Sequence, residues 1–198
     1  MPYRAIHTLL AVVLVLIAAT NPALAHSEEV YGGGFVAGFT HPILGWDHVA
    51  AMVAVGLWGA FLGAPAIWIL PVVFPLVMAL GAVAGIVGIP VPAVETGIAF
   101  SAVVLGLMIV FAAKPPIWVA AIIVGAFAIF HGYAHGTELP STVNAFAYAI
   151  GFVFSTGLLH LCGIAFGLLV KWPAGRIVVR SAGGLISIAG VAFLTGIA

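Results

Sequence analysis

Two histidines and a glutamate end an almost unbroken apolar run near residue 130. The stretch FHGYAHGTELP, residues 130–140, follows the apolar segment PIWVAAIIVGAFAI. On a helix, His131, His135 and Glu138 share one face, because positions i, i+4 and i+7 lie along the same stripe. Two imidazoles and a carboxylate on one stripe are a donor set for a divalent transition metal ion.

A second polar stretch, HPILGWDH, occupies residues 41–48. His41 and His48 are seven residues apart, which predicts one shared helical face, and Asp47 is adjacent to His48. Pro42 suits the first turn of a helix, so His41 is also a candidate helix cap. Glu95 is a third ligand-type residue, at the start of another apolar segment. For His41 and Glu138, ligation of a metal, capping of a helix and simple exposure to water are all open alternatives.

The composition shows which solvent surrounds these residues. The 198-residue chain is 65% hydrophobic and only 5% charged, whereas soluble domains carry about 25% charged residues. The sequence therefore predicts an all-α polytopic membrane protein whose main partner is the lipid bilayer. The net charge is zero, so nothing indicates a nucleic-acid partner. A single cysteine, Cys162, excludes an internal disulfide, and the absence of a GxxxxGK[ST] stretch excludes a P-loop.

The first 25 residues have the pattern of a cleavable signal peptide. A basic start, a short apolar stretch and the small residues Ala23 and Ala25 predict cleavage between Ala25 and His26. The alternative is an uncleaved first membrane helix. If cleavage occurs, His26 becomes the N-terminal residue of a single domain, 26–198. Its α-amine and imidazole are then a possible accessory metal ligand, although the sequence favours a merely flexible, solvated leader.

Proline, glycine and the rare charges divide the remainder into six apolar segments, which predict a six-helix transmembrane bundle. Residues 32–40 are too short to span and are expected to form a turn or a surface helix. Short connections favour antiparallel neighbours, and GxxxG pairs such as Gly81 and Gly85 favour close helix contacts. The expected spans lie near 42–62, 65–88, 93–112, 116–136, 142–170 and 175–197.

The cations predict the orientation of these spans. Lys114, Lys171, Arg176 and Arg180 fall in or next to alternate connections, so the positive-inside rule places those connections in the cytoplasm. The mature N- and C-termini are then periplasmic. This orientation collects seven candidate metal ligands in the outer half of the bundle: His41, Asp47, His48, Glu95, His131, His135 and Glu138.

His160 lies apart from those seven residues, beyond the middle of the fifth span. A lone histidine on an apolar helix is usually a packing residue, but within a membrane its hydrogen-bond partners are scarce. We therefore regard an inner station for a metal ion as an equal alternative, with Ser155, Thr156 and Cys162 as weaker candidates beside it.

The donor types restrict the metal. Imidazole nitrogens with carboxylate oxygens suit Ni²⁺, Co²⁺, Zn²⁺ or Cu²⁺, whereas Ca²⁺ prefers oxygen ligands alone and copper(I) prefers sulfur. The general order of affinities of divalent metals for such ligands does not identify which of these late divalent ions is bound. Ionisable groups within membrane spans mark ion pathways or catalytic sites by default.

Both polar stretches resemble the signature motifs of a known family. HPILGWDHVAAMVAVGLW and FHGYAHGTE are similar to those of the HupE/UreJ hydrogenase and urease accessory membrane proteins, and the similarity extends to GFVAGFTHP, the Glu95 region and GLLHLCG. The resemblance implies uptake of nickel or cobalt for nickel enzymes. The matching key positions are His41, Asp47, His48, His131, His135 and Glu138.

Three functions use such a site. The leading one is a nickel permease of the bacterial inner membrane that is not an enzyme, carries Ni²⁺ (or Co²⁺ or Zn²⁺) as its transported ion and needs no organic cofactor. An intramembrane zinc-dependent hydrolase would hold zinc and activate water with the same residue types. It is disfavoured because no uncommitted acid is placed as a general base. A metal-binding assembly or scaffold subunit is the third function.

Overall fold

Helices form nearly all of the described chain. A computed structural model describes residues 33–139 and 143–197, and no strand occurs in these ranges. The predicted signal peptide, residues 1–25, and His26 lie outside them. The helices are α1 (Gly33–Leu44), α2 (Trp46–Leu62), α3 (Ala66–Ile86), α4 (Val94–Val110), α5 (Ile117–Glu138), α6 (Ala145–Gly167) and α7 (Pro173–Thr195), and a short 3₁₀ helix, Leu168–Lys171, joins α6 to α7.

Local sequence signals explain several helix ends. Asn144 caps α6, since its side-chain oxygen accepts a hydrogen bond from the backbone N–H of Ala147 at 2.9 Å. Pro173 begins α7, where its missing N–H leaves no helical hydrogen bond unmade. Gly63 and Gly196 end α2 and α7 with positive φ angles of 81° and 68°, a conformation that glycine adopts without strain.

The long helices identify a multi-pass membrane protein. Within the described residues, four segments are long and apolar enough to cross a bilayer: α3, α5, α6 with its 3₁₀ extension, and α7. The pair α1 and α2 meets the same criterion only together, and it is bent by 79°. Helix α4 has 17 residues, about 25 Å of helix, which is shorter than a typical hydrocarbon core of about 30 Å. The count of six spans stays a prediction.

The expected start of the first span is wrong. The sequence predicted a helix from Pro42 with His41 as its cap, but α1 runs through both residues and the next helix starts at Trp46. The break falls at Gly45, whose φ and ψ of −85° and 109° are extended. Residues 32–40, expected to form a turn or a surface helix, supply most of α1, and α1 packs on α6 with Gly38 against the backbone of Tyr148.

Glycines allow the helices to approach closely. A Cβ atom at Gly132 of α5 would lie 1.9 Å from the carbonyl oxygen of Met78 in α3, so only glycine fits there. Gly56 of α2 meets the backbone of His160 in α6 in the same way, and Gly163 of α6 meets Val53 of α2. These contacts join α3 to α5 and α2 to α6, as small residues do in membrane proteins.

The cations of the described residues gather at one end of the bundle. The Lys114 ammonium lies 5.5 Å from the centre of the Phe61 ring, near the end of α2. The Nε–H of Arg180 donates to the carbonyl of Val110, at the end of α4, at 2.7 Å. His48 lies in the first turn of α2, about 20 Å of helix from Phe61. The histidine-rich end and the basic end are therefore opposite ends of the molecule.

Candidate metal centre

Three histidines from three helices meet at the end of the bundle away from the cations. One possible ligand atom from each of His41 (α1), His48 (α2) and His135 (α5) lies within 4.8 Å of the other two. The ring centroid of His135 is 4.6 Å from that of His48 and 4.8 Å from that of His41. The bend at Gly45 contributes to this arrangement by placing His41 and His48 on separate helices. We call these three residues the outer trio.

Asp47 fixes the orientation of His48. One oxygen of its carboxylate accepts hydrogen bonds from the backbone N–H of His48 at 2.9 Å and from Nδ1–H of the same ring at 2.6 Å. The opposite nitrogen, Nε2, then faces Nε2 of His135 at 2.8 Å. A carboxylate that holds the far nitrogen of a ligating histidine both orients the ring and makes it a better donor. Through this contact Asp47 would influence an ion bound at His48.

Aromatic side chains of α6 close one side of the outer trio. The Phe152 ring centroid lies 4.3 Å from that of His135, and the Tyr148 centroid lies 6.2 Å from that of His41. His48 and His135 are buried at 7% and 6% relative exposure, whereas His41 is partly exposed. Apolar walls strengthen the attraction between an ion and its ligands, because little water screens it.

His131 lies one turn deeper than His135. The sequence made it one of the seven candidate metal ligands, but it stands outside the outer trio, with its ring centroid 5.2 Å from that of His48. Its Nε2 lies 3.1 Å from the hydroxyl oxygen of Ser101, which itself donates to the carbonyl of Ile98. Nε2–H of His131 therefore donates to Ser101, and Nδ1 has no hydrogen-bond partner among the described residues.

Ser101 is a site residue that sequence reasoning missed. It is fully buried in α4, and its only signal was a hydroxyl within the apolar run ETGIAFSAVVLG. Six residues separate it from Glu95, about 9 Å along the helix. Through Ser101, α4 is the helix whose side chain contacts His131.

The two candidate acids at the outer end stand apart from the outer trio. Glu95 lies in the first turn of α4 and Glu138 at the end of α5, and both side chains are exposed. Glu138 is three residues beyond His135, so it lies about one helical turn further out. Neither belongs to the group of donors that lie within 4.8 Å of one another. Their positions suit attraction of a cation towards the trio more than direct contact with an ion held inside it.

The remaining candidates divide into a buried one and one outside the described range. His160 is 1% exposed within α6, and neither ring nitrogen has a hydrogen-bond partner of good geometry in the part of the chain that the structure describes. His26 lies outside the described residues. The outer trio itself offers imidazole nitrogens beside a carboxylate, which suits a late divalent ion such as Ni²⁺, Co²⁺, Zn²⁺ or Cu²⁺.

Known proteins resemble this chain along most of its length. The chain matches the family described as HupE / UreJ protein over residues 13–193. It is also 47% identical over 182 residues to Protein HupE of Rhizobium leguminosarum bv. viciae, covering 91% of this chain and 95% of that protein. No solved structure matches the chain. Both matches extend over the helices that carry His41, His48 and His135, and the chain belongs to the HupE/UreJ family.

Proposed function

We propose that this protein is a permease that imports a late divalent metal ion, nickel or cobalt, from the periplasm across the bacterial inner membrane. The observation that carries the proposal is the outer trio, since three separate helices deliver imidazoles to one point in an otherwise apolar bundle. Membership of the HupE/UreJ family supports nickel as the ion and supply to nickel enzymes as the purpose.

The distribution of charge supports an orientation in which the outer trio faces the periplasm. Lys114, Lys171, Arg176 and Arg180 lie at the end opposite the trio, and positive residues mark the cytoplasmic side. With the bent pair α1–α2 and the short helix α4 each counted as a span, the described residues hold six spans, and this even number supports mature N- and C-termini that both lie in the periplasm. The trio then faces the compartment from which the ion arrives.

Each candidate residue has a role in this proposal. His41, His48 and His135 contact the ion, and Asp47 orients His48. His131 receives the ion next. It lies within 5.2 Å of His48, and its Nδ1 has no hydrogen-bond partner among the described residues. Glu95 and Glu138 attract the cation at the outer surface, a task for which exposed acids suffice.

Uptake of radioactive nickel by the purified protein in liposomes tests the proposal. We expect accumulation by the wild type and its loss in His135→Ala, because one of the three converging imidazoles is removed. Thr195→Ala is a matched control: the hydroxyl of Thr195 is exposed and bonds only to carbonyls of its own helix.

The same experiment separates the competing functions. Wild-type protein that binds nickel in detergent but never accumulates it in liposomes would contradict transport and favour a scaffold or storage role. Wild-type protein that binds no late divalent ion would contradict the metal site itself, and the histidines would then be packing residues joined by hydrogen bonds.

A further inference from the structure

A second group of polar side chains is buried deeper in the bundle without partners. Ser155, Thr156 and His160 of α6 are 0%, 0% and 1% exposed. Neither hydroxyl, and neither nitrogen of His160, makes a hydrogen bond of good geometry within the described residues. Buried polar groups are almost always hydrogen-bonded, because an unpaired one costs free energy. Three buried polar side chains on one helix that lack such partners therefore require an explanation.

The spacing on α6 joins this group to the outer trio. Phe152, Thr156 and His160 are four residues apart in turn, so they lie along one face of the helix. Phe152 packs against His135, with ring centroids 4.3 Å apart. His160 follows eight residues later, about 12 Å further into the bundle. The face of α6 that closes the outer trio therefore continues inward to the unpartnered histidine.

A backbone oxygen of α3 approaches the same point. The carbonyl of Pro71 faces the His160 ring, although without the geometry of a good hydrogen bond. In a regular helix this oxygen would accept from the N–H of residue 75, but residue 75 is proline and has none. Carbonyls released in this way coordinate cations in membrane transporters. The two prolines thus expose an oxygen donor beside an imidazole inside the membrane.

Phe74 contacts both His131 and His160. Its ring is fully buried, and its centroid lies 5.5 Å from that of each histidine. A benzene ring offers no donor atom to a divalent cation. An ion that moves from His131 to His160 must therefore pass Phe74, which can turn about its side-chain torsions.

We propose that His160, Thr156 and the Pro71 carbonyl form a second, inner binding site for a late divalent metal ion, separated from the outer trio by Phe74. Only the direction in which the ion travels rests on the proposed permease function. The inner donors are one imidazole and neutral oxygens, with no carboxylate among them. This site therefore binds more weakly than the outer trio, whose His48 is held by Asp47.

Equilibrium dialysis of the detergent-purified full-length protein against rising Ni²⁺ tests the inner site without any need for transport. The wild type is expected to bind two ions, the second more weakly. His160→Ala should lose the second binding event and keep the affinity of the first. His48→Ala should do the reverse. Thr156→Val should weaken the second event, whereas Thr156→Ser, which keeps the hydroxyl, should retain it.

Ile164→Ala is the control for loss of packing. Ile164 is buried on the same helix and carries no donor atom, so its truncation should leave both binding events in place. The proposal is overturned if the wild type saturates at one ion, or if His160→Ala still binds two. A failure of nickel uptake in liposomes combined with two binding events would instead contradict the permease function and leave the inner site standing.

Discussion

Asp47 is expected to matter for metal binding although it lies outside the outer trio. Its carboxylate accepts from Nδ1–H of His48, which presents Nε2 to the centre. Asp47→Asn keeps a similar shape but removes the charge. We expect the Ni²⁺ affinity to fall about 10- to 100-fold, as is typical when a carboxylate behind a ligating histidine is changed. Competition with a chelator of known affinity, in detergent, measures the change.

The fold of Asp47→Asn must be checked alongside its affinity. Its thermal unfolding should match that of the wild type, because Asp47 is partly exposed and its bonds are confined to His48. An unchanged Ni²⁺ affinity in a correctly folded variant would show that His48 does not need its carboxylate.

Residue types were more predictable than residue positions at this site. The pairing of histidine with carboxylate identified both polar stretches, because such side chains are rare in an apolar chain. Helical phase then grouped His131 with His135, but it could not show that Ser101 of another helix would engage His131. Which of two histidines on one face reaches a partner depends on how the helices dock, and sequence periodicity carries no information about docking.

Among the helices, the pair α3 and α5 depends on the absence of a side chain at Gly132. A Cβ atom there would lie 1.9 Å from the Met78 carbonyl, so Gly132→Ala must push the two helices apart. Overpacking of this kind costs about 1–3 kcal/mol. We expect a lower melting temperature in detergent and weaker nickel binding, because α5 carries His135.

Gly157→Ala is the control for Gly132→Ala. Gly157 lies inside α6, and nothing stands within 4 Å of the position its Cβ would take. Alanine stabilises a helix interior by about 0.5–1 kcal/mol relative to glycine, so the melting temperature should hold or rise. If both variants melt alike, close backbone contact is not what joins α3 to α5.

Element boundaries were predictable wherever proline or a run of turn residues marked them. Pro65 and Pro116 stand at helix starts that the sequence indicated, whereas α7 begins at Pro173, two residues before the expected start of its span. The break at Gly45 was not found, since a single glycine within an apolar stretch also occurs in unbroken helices of this chain. The helix that packs on α1 decides where the break falls, and that helix, α6, is distant in sequence. Gly38 of α1 packs against Tyr148 of α6.

For the whole molecule, the orientation in the membrane can be tested directly. Alkaline phosphatase fused after Ala198 should be active, because that enzyme folds only outside the cytoplasm and the C-terminus is expected in the periplasm. The same enzyme inserted after Lys114 should be inactive, and a fluorescent protein at each position should give the opposite pattern. Activity after Lys114 would reverse the orientation and place the outer trio on the cytoplasmic side.

The contact between His48 and His135 has a consequence for how fast an ion is captured. Nδ1 of His48 carries its proton towards Asp47, so the bond at 2.8 Å needs the hydrogen on Nε2 of His135. An arriving ion must break this hydrogen bond to reach the lone pair of His48, and Nε2 of His135 offers a lone pair only after its hydrogen moves to Nδ1 of the same ring, which has no hydrogen-bond partner among the described residues. Capture therefore includes a proton rearrangement within one imidazole, and we expect nickel to bind more slowly in heavy water than in ordinary water, at equal final affinity.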